Sequence, residues 1–476
     1  MAPRDRRARD ARCRSVRGRR RRPARRGHRI RRARRPGAGV RARRARGRAH
    51  AVVRGRQAAM TTVPLTPVDE LGHWLDRPGE PNNVHLEAAI DAHVDAIRLR
   101  AALDGVLAAH PLARARLAPG HVLRRRLKWE IPATTPKALT QVRWDQPADL
   151  ARRREEFVST PVRLDTGPAL RLLHAIGPER DVLLLSLHHA VFDGLSGVRL
   201  LRSLADRYAG RSDPVPDKPF AARIPRARPG PARVHGRPAR IAEDGAEPLP
   251  GYGFHHLALP RPAPLPGPAT VNDVLIAALG MAIAYWNVAH GTAPSTVRIT
   301  MPLNTRPAGD ERLGNLCRLA SIAVTDDAAN PFRRVLGDVT AQTTAAKIQG
   351  GPQLDPVSRA LMLPWYPAVL RGPIVRLAHR MGAAHYSDTS LVSNLGILDR
   401  PTDFGPGAPV EAVWFSTPAP MPRGLSLGVT TMRGRMHLCL RYRHALFDAA
   451  AAARFAALLE ELLAAAVPDP GRREAV

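Results

Sequence analysis

Cysteine is scarce in this chain: three residues out of 476, at positions 13, 317 and 439, with no paired spacing. That excludes a disulfide framework and a cysteine-built zinc site, and it makes a reducing cytoplasm the simplest home. Aromatic residues amount to 4% of the chain, and none falls in the first 59 residues. Long apolar runs are missing as well. The longest, "VLIAALGMAIAYW" (274–286), is too short to span a bilayer and reads as a buried helix, so no transmembrane segment is expected. Acidic residues number 41 against 74 basic ones, for a formal charge of +33.

Most of that imbalance is local. Residues 1–59 hold 25 arginines, no lysine and only Asp5 and Asp10, which is +23 of the total. With no base-stacking aromatic and no apolar periodicity, this stretch reads as a disordered Arg-rich extension, with Met60 as an alternative start of translation. No apolar segment follows the arginines, so neither a secretory nor a twin-arginine signal is expected. The remaining 417 residues carry +10, and no nucleic-acid partner is expected for the folded part.

Two lobes follow. In 60–210, a strand-like "NNVHLEAAI" precedes a helix in which Ile97, Leu99, Leu103, Val106 and Leu107 recur near helical spacing. Later "DVLLLSLHH" (181–189) reads as a buried strand and "SGVRLLRSLADRY" as a helix with Val198, Leu201, Leu204, Ala205 and Tyr208 inward. Residues 211–268 contain 14 prolines and little periodicity, and read as a crossing segment. The second lobe, 269–476, opens with a helix for which Thr270 or Asn272 can serve as cap. Strands are expected near 296–304, 320–324, 390–396, 409–416, 425–432 and 435–442, and a helix closes the chain. "LSLHHAVFDGLSGVRLLRSL" and "LCLRYRHALFDAAAAARFAALL" share a strand, His-Ala-aliphatic-Phe-Asp and a helix. One plan used twice, with a single working site, is the economical reading.

"HHAVFDG" (188–194) stands where the buried strand hands over to the helix. Neighbouring strand residues point to opposite faces, so His188 and His189 cannot easily share a metal ion, and HExxH is absent. "GLSG" (194–197) is not a G-x-S-x-G nucleophile elbow, and no phosphate loop of the G-x-x-x-x-G-K type is present. What remains is an imidazole acting as a base on a nucleophile that belongs to the substrate. Asp193 then suits a brace paired to an arginine, and Gly194 a position of close approach or positive φ.

These residues resemble the His-His-x-x-x-Asp-Gly motif of the condensation-domain superfamily, which includes chloramphenicol acetyltransferase, peptide-synthetase condensation domains, and polyketide-associated, wax ester and diacylglycerol acyltransferases. "PLTPVDE" (64–70), "LRAALDGVLAAHPLARARL" (99–117), "LDTGPALRLL" (164–173), "PLNTRP" (302–307) with "GNL" after it, and "SNLG" (393–396) resemble family segments in order. "DFGPG" (403–407) resembles the Asp-Phe-Gly-x-Gly of plant acyltransferases, with Pro406 departing from that pattern. The resemblance spans Met60 to about Leu463.

It implies an α/β fold of two chloramphenicol-acetyltransferase-like two-layer lobes in a V, with a substrate channel between them. His189 would be the catalytic base; His188, Asp193, Gly194 and Arg306 would support it, Asp193 pairing with Arg306. Asn315 and Asn394 would be channel candidates. The implied reaction moves an acyl group from a coenzyme A or carrier-protein phosphopantetheine thioester to a hydroxyl or amine of a small-molecule or lipid acceptor, with no bound cofactor and no metal. No adenylation or carrier domain accompanies these segments, which favours a stand-alone ester-forming acyltransferase in lipid or secondary metabolism. A free-standing amide-forming condensation enzyme and a noncatalytic partner-binding domain are the competing readings.

Overall fold

The computed structural model describes residues 61–466 except 121–122, 135, 216–236, 263–264, 266, 326–330, 350–352, 355, 366 and 399–401. The extension 1–59 and part of the Pro-rich stretch therefore lie outside the described residues.

The first part runs β1 (Thr61–Pro64), α1 (Pro67–Trp74), β2 (Asn83–Ile90), α2 (Ala96–Ala109), a 3-10 turn, β3 (Arg116–Leu117), β4 (Lys128–Ile131), β5 (Leu139–Arg143), α3 (Pro147–Ser159), β6 (Leu170–Ile176), β7 (Asp181–His188) and α4 (Gly194–Tyr208). The second runs β8 (Tyr252–Pro260), α5 (Val271–Ala289), β9 (Val297–Asn304), β10 (Cys317–Val324), α6 (Phe332–Gln349), α7 (Pro356–Leu361), α8 (Ala368–Tyr386), β11 (Ser390–Ile397), β12 (Val410–Ser416), β13 (Leu425–Met432), β14 (Arg435–Arg443) and α9 (Ala449–Ala465). Two large mixed sheets result, ordered β12-β2-β7-β6-β5 and β10-β9-β11-β13-β14-β8, with a small sheet β1-β4-β3 beside them.

Each large sheet carries its own apolar core on one face. Leu86 and Leu185 of the first sheet meet Leu103, Val106, Leu201 and Leu204 of α2 and α4, all buried. Ile97, grouped with the others by spacing, is instead 82% exposed, because two residues before Leu99 it falls on the opposite side of α2 from the buried stripe. In the second sheet Leu427, Val429 and Leu438 meet α5, α6 and α9. Thr270 caps α5 in a reciprocal capping box with Asp273. This helix is long and apolar enough, by length and composition, to cross a membrane, yet most of it is packed inside the second core.

The duplicated plan is visible at atomic detail. β6–β7 and β13–β14 are antiparallel hairpins, each followed by a helix capped by an aspartate, Asp193 or Asp448, whose side chain accepts from the N–H three residues on. The turns agree too: Phe192 N–H donates to His188 O and Phe447 N–H to Arg443 O. β2 pairs with β7 so that Asn83 faces His188, and β8 pairs with β14 so that Tyr252 faces Arg443.

Two boundaries fall differently from the sequence expectation. β8 lies within 211–268, where proline density masked a strand that follows Gly251 and ends on Pro260. β12, from the C-terminal stretch, pairs antiparallel with β2 and so completes the first sheet. It reaches there by crossing β13: a Cβ on Gly428 would stand 2.0 Å from Phe415 O, so only glycine allows that approach. Ser426 Oγ donates to Thr417 O at 2.9 Å across the same crossing. Ser426 also occupies a G-x-S-x-G spacing, but it is buried in mid-strand and its hydroxyl is used in this contact.

Candidate active site

The loop between β7 and α4 is shaped by its own aspartate. Asp193 caps α4, and its Oδ1 accepts from Ser196 N–H at 2.9 Å and lies 2.9 Å from Ser196 Oγ. Arg306, from the loop after β9, grips the same carboxylate at two points: Nη1 to Oδ2 at 2.7 Å and Nη2 to Oδ1 at 2.9 Å. Leu316 N–H donates to Oδ2 at 2.9 Å. Arg306 also donates to Gly314 O and Arg312 O. Both charges are almost wholly buried, so the fork-to-fork geometry offsets their desolvation and fixes the loop's position rather than adding stability outright.

His189 follows the last residue of β7. Its N–H donates to Asn82 O at 2.8 Å, and its carbonyl accepts from Asn315 Nδ2 at 3.0 Å. Its ring Nδ1 lies 2.9 Å from Phe192 O. A carbonyl can only accept, so Nδ1 carries the proton and Nε2 keeps a free lone pair. Burial lowers the imidazole's pKa below its ordinary value, partly countered by the Phe192 carbonyl and the Asp193 charge, while His188 and Arg441 push it further down. The ring is therefore neutral at pH 7.

His188 is arranged for a different task. It is buried, its Nδ1 accepts from Ala190 N–H at 3.1 Å, and its Nε2 faces Asp76 Oδ2 at 3.4 Å. Burial tends to raise the Asp76 carboxyl, but the His188 contact and Asn82 N–H outweigh it and hold it below the ordinary range. The two histidines have separate partners and do not converge.

Gly194 begins α4 without a positive φ, so its need is space alone. A Cβ there would stand 2.7 Å from both Leu395 Cδ2 and Phe415 Cζ. Gly194→Ala is expected to cost about 1–3 kcal/mol by overpacking, read as a lowered midpoint of thermal unfolding; an unchanged midpoint would show that Leu395 and Phe415 move aside freely. Asn315, a channel candidate from sequence, ties β10's approach to the His189 backbone. Asn394 Oδ1 accepts from Gly396 N–H at 2.9 Å in a bulge of β11, and this bulge carries Leu395 over Gly194. Within DFGPG, Phe404 packs edge-on against Tyr208 and Asp403 accepts from Val410 N–H at 2.7 Å, so the segment shapes the turn into β12.

Sequence reasoning missed Asp76, Ser196 and Arg441. Arg441 is fully buried, stacks on Tyr252 at 3.8 Å and donates to Asn83 O at 2.8 Å, tying β14 to the start of β2. A signal existed: "RMHLCLRYR" alternates strictly, placing His437, Cys439, Arg441 and Arg443 on one face, which the structure buries between the sheets. His85 faces the same layer with both ring nitrogens unpartnered, beside the Glu87–Arg154 pair at 2.6 and 2.7 Å.

Comparison with known proteins shows the family and the fold. The Condensation domain family model matches residues 74–223. The Mycobacterium tuberculosis protein "Uncharacterized protein Rv2305" is 31% identical over 432 residues, 84% of this chain and 99% of that one. Among solved structures, the first condensation domain of the CDA synthetase superposes with a TM-score of 0.59 at 16% identity, covering 87% of this chain and 98% of that one. A mutant of the starter condensation domain of rhizomide synthetase, solved in complex with C8-CoA, gives 0.56 at 14% identity, covering 85% and 95%. The fold and the loop therefore define a condensation-domain protein built of two chloramphenicol-acetyltransferase-like lobes. This chain belongs to the condensation-domain superfamily.

Proposed function

We propose that the chain is an acyltransferase that moves an acyl group from a coenzyme A or carrier-bound thioester to a hydroxyl or amine, with His189 as general base. The observation that carries this reading is the Nδ1 contact to Phe192 O, which leaves Nε2 unprotonated at the mouth of a loop braced by Asp193 and Arg306. As the acceptor oxygen or nitrogen bonds to the thioester carbonyl, Nε2 takes its proton. When the C–S bond breaks, the imidazolium returns that proton to the departing thiolate. His188, Asp193, Gly194 and Arg306 position the ring, and much of the rate comes from holding both substrates beside it in the channel between the lobes. Asn315 serves by fixing the backbone of His189, and Asn394 by placing Leu395.

The reading is tested by incubating the full chain with mixed acyl-CoA and carrier-bound acyl donors and a panel of alcohols and amines, with intact-mass analysis of the products. An ester or amide with equimolar free thiol is expected, and the product mass separates the two. No product from any donor would leave a noncatalytic binding domain as the better account.

Acid should weaken the protein before base does. Burial lowers His73, His110, His256 and His379 to about 4. Between about 4 and the ordinary 6.5 these four imidazoles bind more protons in the unfolded chain than in the folded one, a larger effect than the opposing one of Asp69, which burial raises to about 6, so stability rises with pH across that window and is lost as pH falls through it. His189 is shifted the same way, so the acid limb of kcat/KM should lie below pH 6.5. Thermal midpoints measured from pH 4 to 8 test the first statement and a pH–rate profile the second; a flat midpoint below 6.5 would contradict it.

A further inference from the structure

Residues 356–386 contain Arg359, Arg371, Arg376 and Arg380 and no acidic residue. α8 docks along one side, where Arg371 turns inward to Glu70 on α1 at 2.6 Å and Gly372 lies against Trp74, and at its C-terminal turn, where His385 accepts from Arg237 at 2.9 Å and Ala384 O from Arg240 at 2.9 Å. Between these contacts its other side carries an exposed apolar stripe. Leu370, Ile374, Leu377 and Met381 follow one another at intervals of four, three and four, one stripe roughly 16 Å long on the helix. Leu377 is 58% exposed, Met381 73%, and Trp365 just before the helix 79%; Tyr386 stands exposed at its far end. Arg359, Arg376 and Arg380 are exposed beside it. A run of large apolar side chains this open marks a contact surface rather than ordinary solvent-facing helix.

We propose that α8 and the turn before it bind the surface of an anionic lipid bilayer, the apolar stripe entering the acyl boundary and the arginines meeting the headgroups. The charge pattern selects this occupant. Two copies meeting through this face would bring arginines together with no acid of residues 356–386 to balance them, a like-charge contact that opposes self-association. A basic, acid-free helix with an apolar stripe and an aromatic residue at each end has the composition of an interfacial helix. The site is near: Asp76, two residues beyond α1, faces His188, so the lipid-facing helix is one helix removed from the loop that carries His189. The inference is independent of the reaction assigned above.

The test is sedimentation of the full chain with vesicles of phosphatidylcholine alone and of phosphatidylcholine with phosphatidylglycerol, in low salt and in about 1 M salt, where the screening length is about 3 Å. Salt removes the purely electrostatic attraction of the 25 N-terminal arginines. Wild type should remain on the anionic vesicles, and Leu377→Asp/Met381→Asp should reduce its partition at least tenfold with the thermal midpoint unchanged, since both residues are exposed. Brominated lipid should quench tryptophan emission in wild type and less in Trp365→Phe. Equal partition of the double variant, or quenching that Trp365→Phe does not reduce, would overturn the proposal. So would stripe-dependent binding of an acidic carrier protein, or a stripe-dependent dimer in the ultracentrifuge, without vesicle binding.

Discussion

His189→Gln is expected to lower kcat by about 10²–10⁴, the usual contribution of a positioned general base, while KM and the thermal midpoint stay near wild type. Glutamine is close to histidine in size, and the backbone of residue 189 is held by Asn82 and Asn315 regardless of side chain. What it lacks is a lone pair basic enough to take the acceptor's proton. The variant's residual rate should also lose the acid limb of the pH profile. His188→Gln makes the contrast: it breaks the buried contact to Asp76 and should lower the midpoint. Single-turnover rates with an acyl-CoA donor decide the matter, and a His189→Gln rate within a factor of a few of wild type would remove this ring from the chemistry.

Arg306→Ala should be the most damaging change to folding, about 3–5 kcal/mol, because it leaves the buried Asp193 carboxylate facing only Ser196 and the Leu316 N–H. Arg306→Lys keeps the charge but cannot reproduce the two parallel bonds, so it should recover part of the stability and less of the activity. Asp193→Asn retains the cap to Ser196 and should cost less than Arg306→Ala for the same reason. Denaturant unfolding of the three variants, with kcat read separately from KM, tests the order. If Arg306→Ala were as stable as wild type, the pair would be ornamental and His189 would be positioned by Asn82 and Asn315 alone.

Much of the first lobe's site was legible because its signals are local. An apolar run of strand length, then His-His, Asp and Gly, then a helix with inward residues at helical spacing, marks the strand-to-helix turn whatever surrounds it; that Asp193 caps α4 as well as bracing the loop is added by the structure. The pairing with Arg306 was suggested by the resemblance at "PLNTRP", not by spacing: 113 residues separate the partners, and nothing along the chain measures that distance. α3 carries little signal along the chain, because three consecutive arginines dominate its middle, although Leu150, Phe157 and Val158 anchor it. α8 escaped notice for the opposite reason. Its apolar stripe faces outward while Arg371 and Gly372 face inward, the reverse of the pattern that marks a packed helix, and Pro373 interrupts it.

The sequence by itself determined the local units: which strands end in a His-Ala-aliphatic-Phe-Asp turn, which helices they start, and which residue of each pair of faces is apolar. These follow from dihedral preference, capping and the two periodicities, all of which act within a few residues. Only the tertiary structure decided that β12 would leave its neighbours to complete the first sheet over Gly428, that the polar side of β14 would be buried against β12 and the start of β2, and that Arg306 would close on Asp193. Those choices depend on which faces meet after the chain has folded back on itself, and contacts between residues a hundred or more positions apart are set by shape and charge in three dimensions.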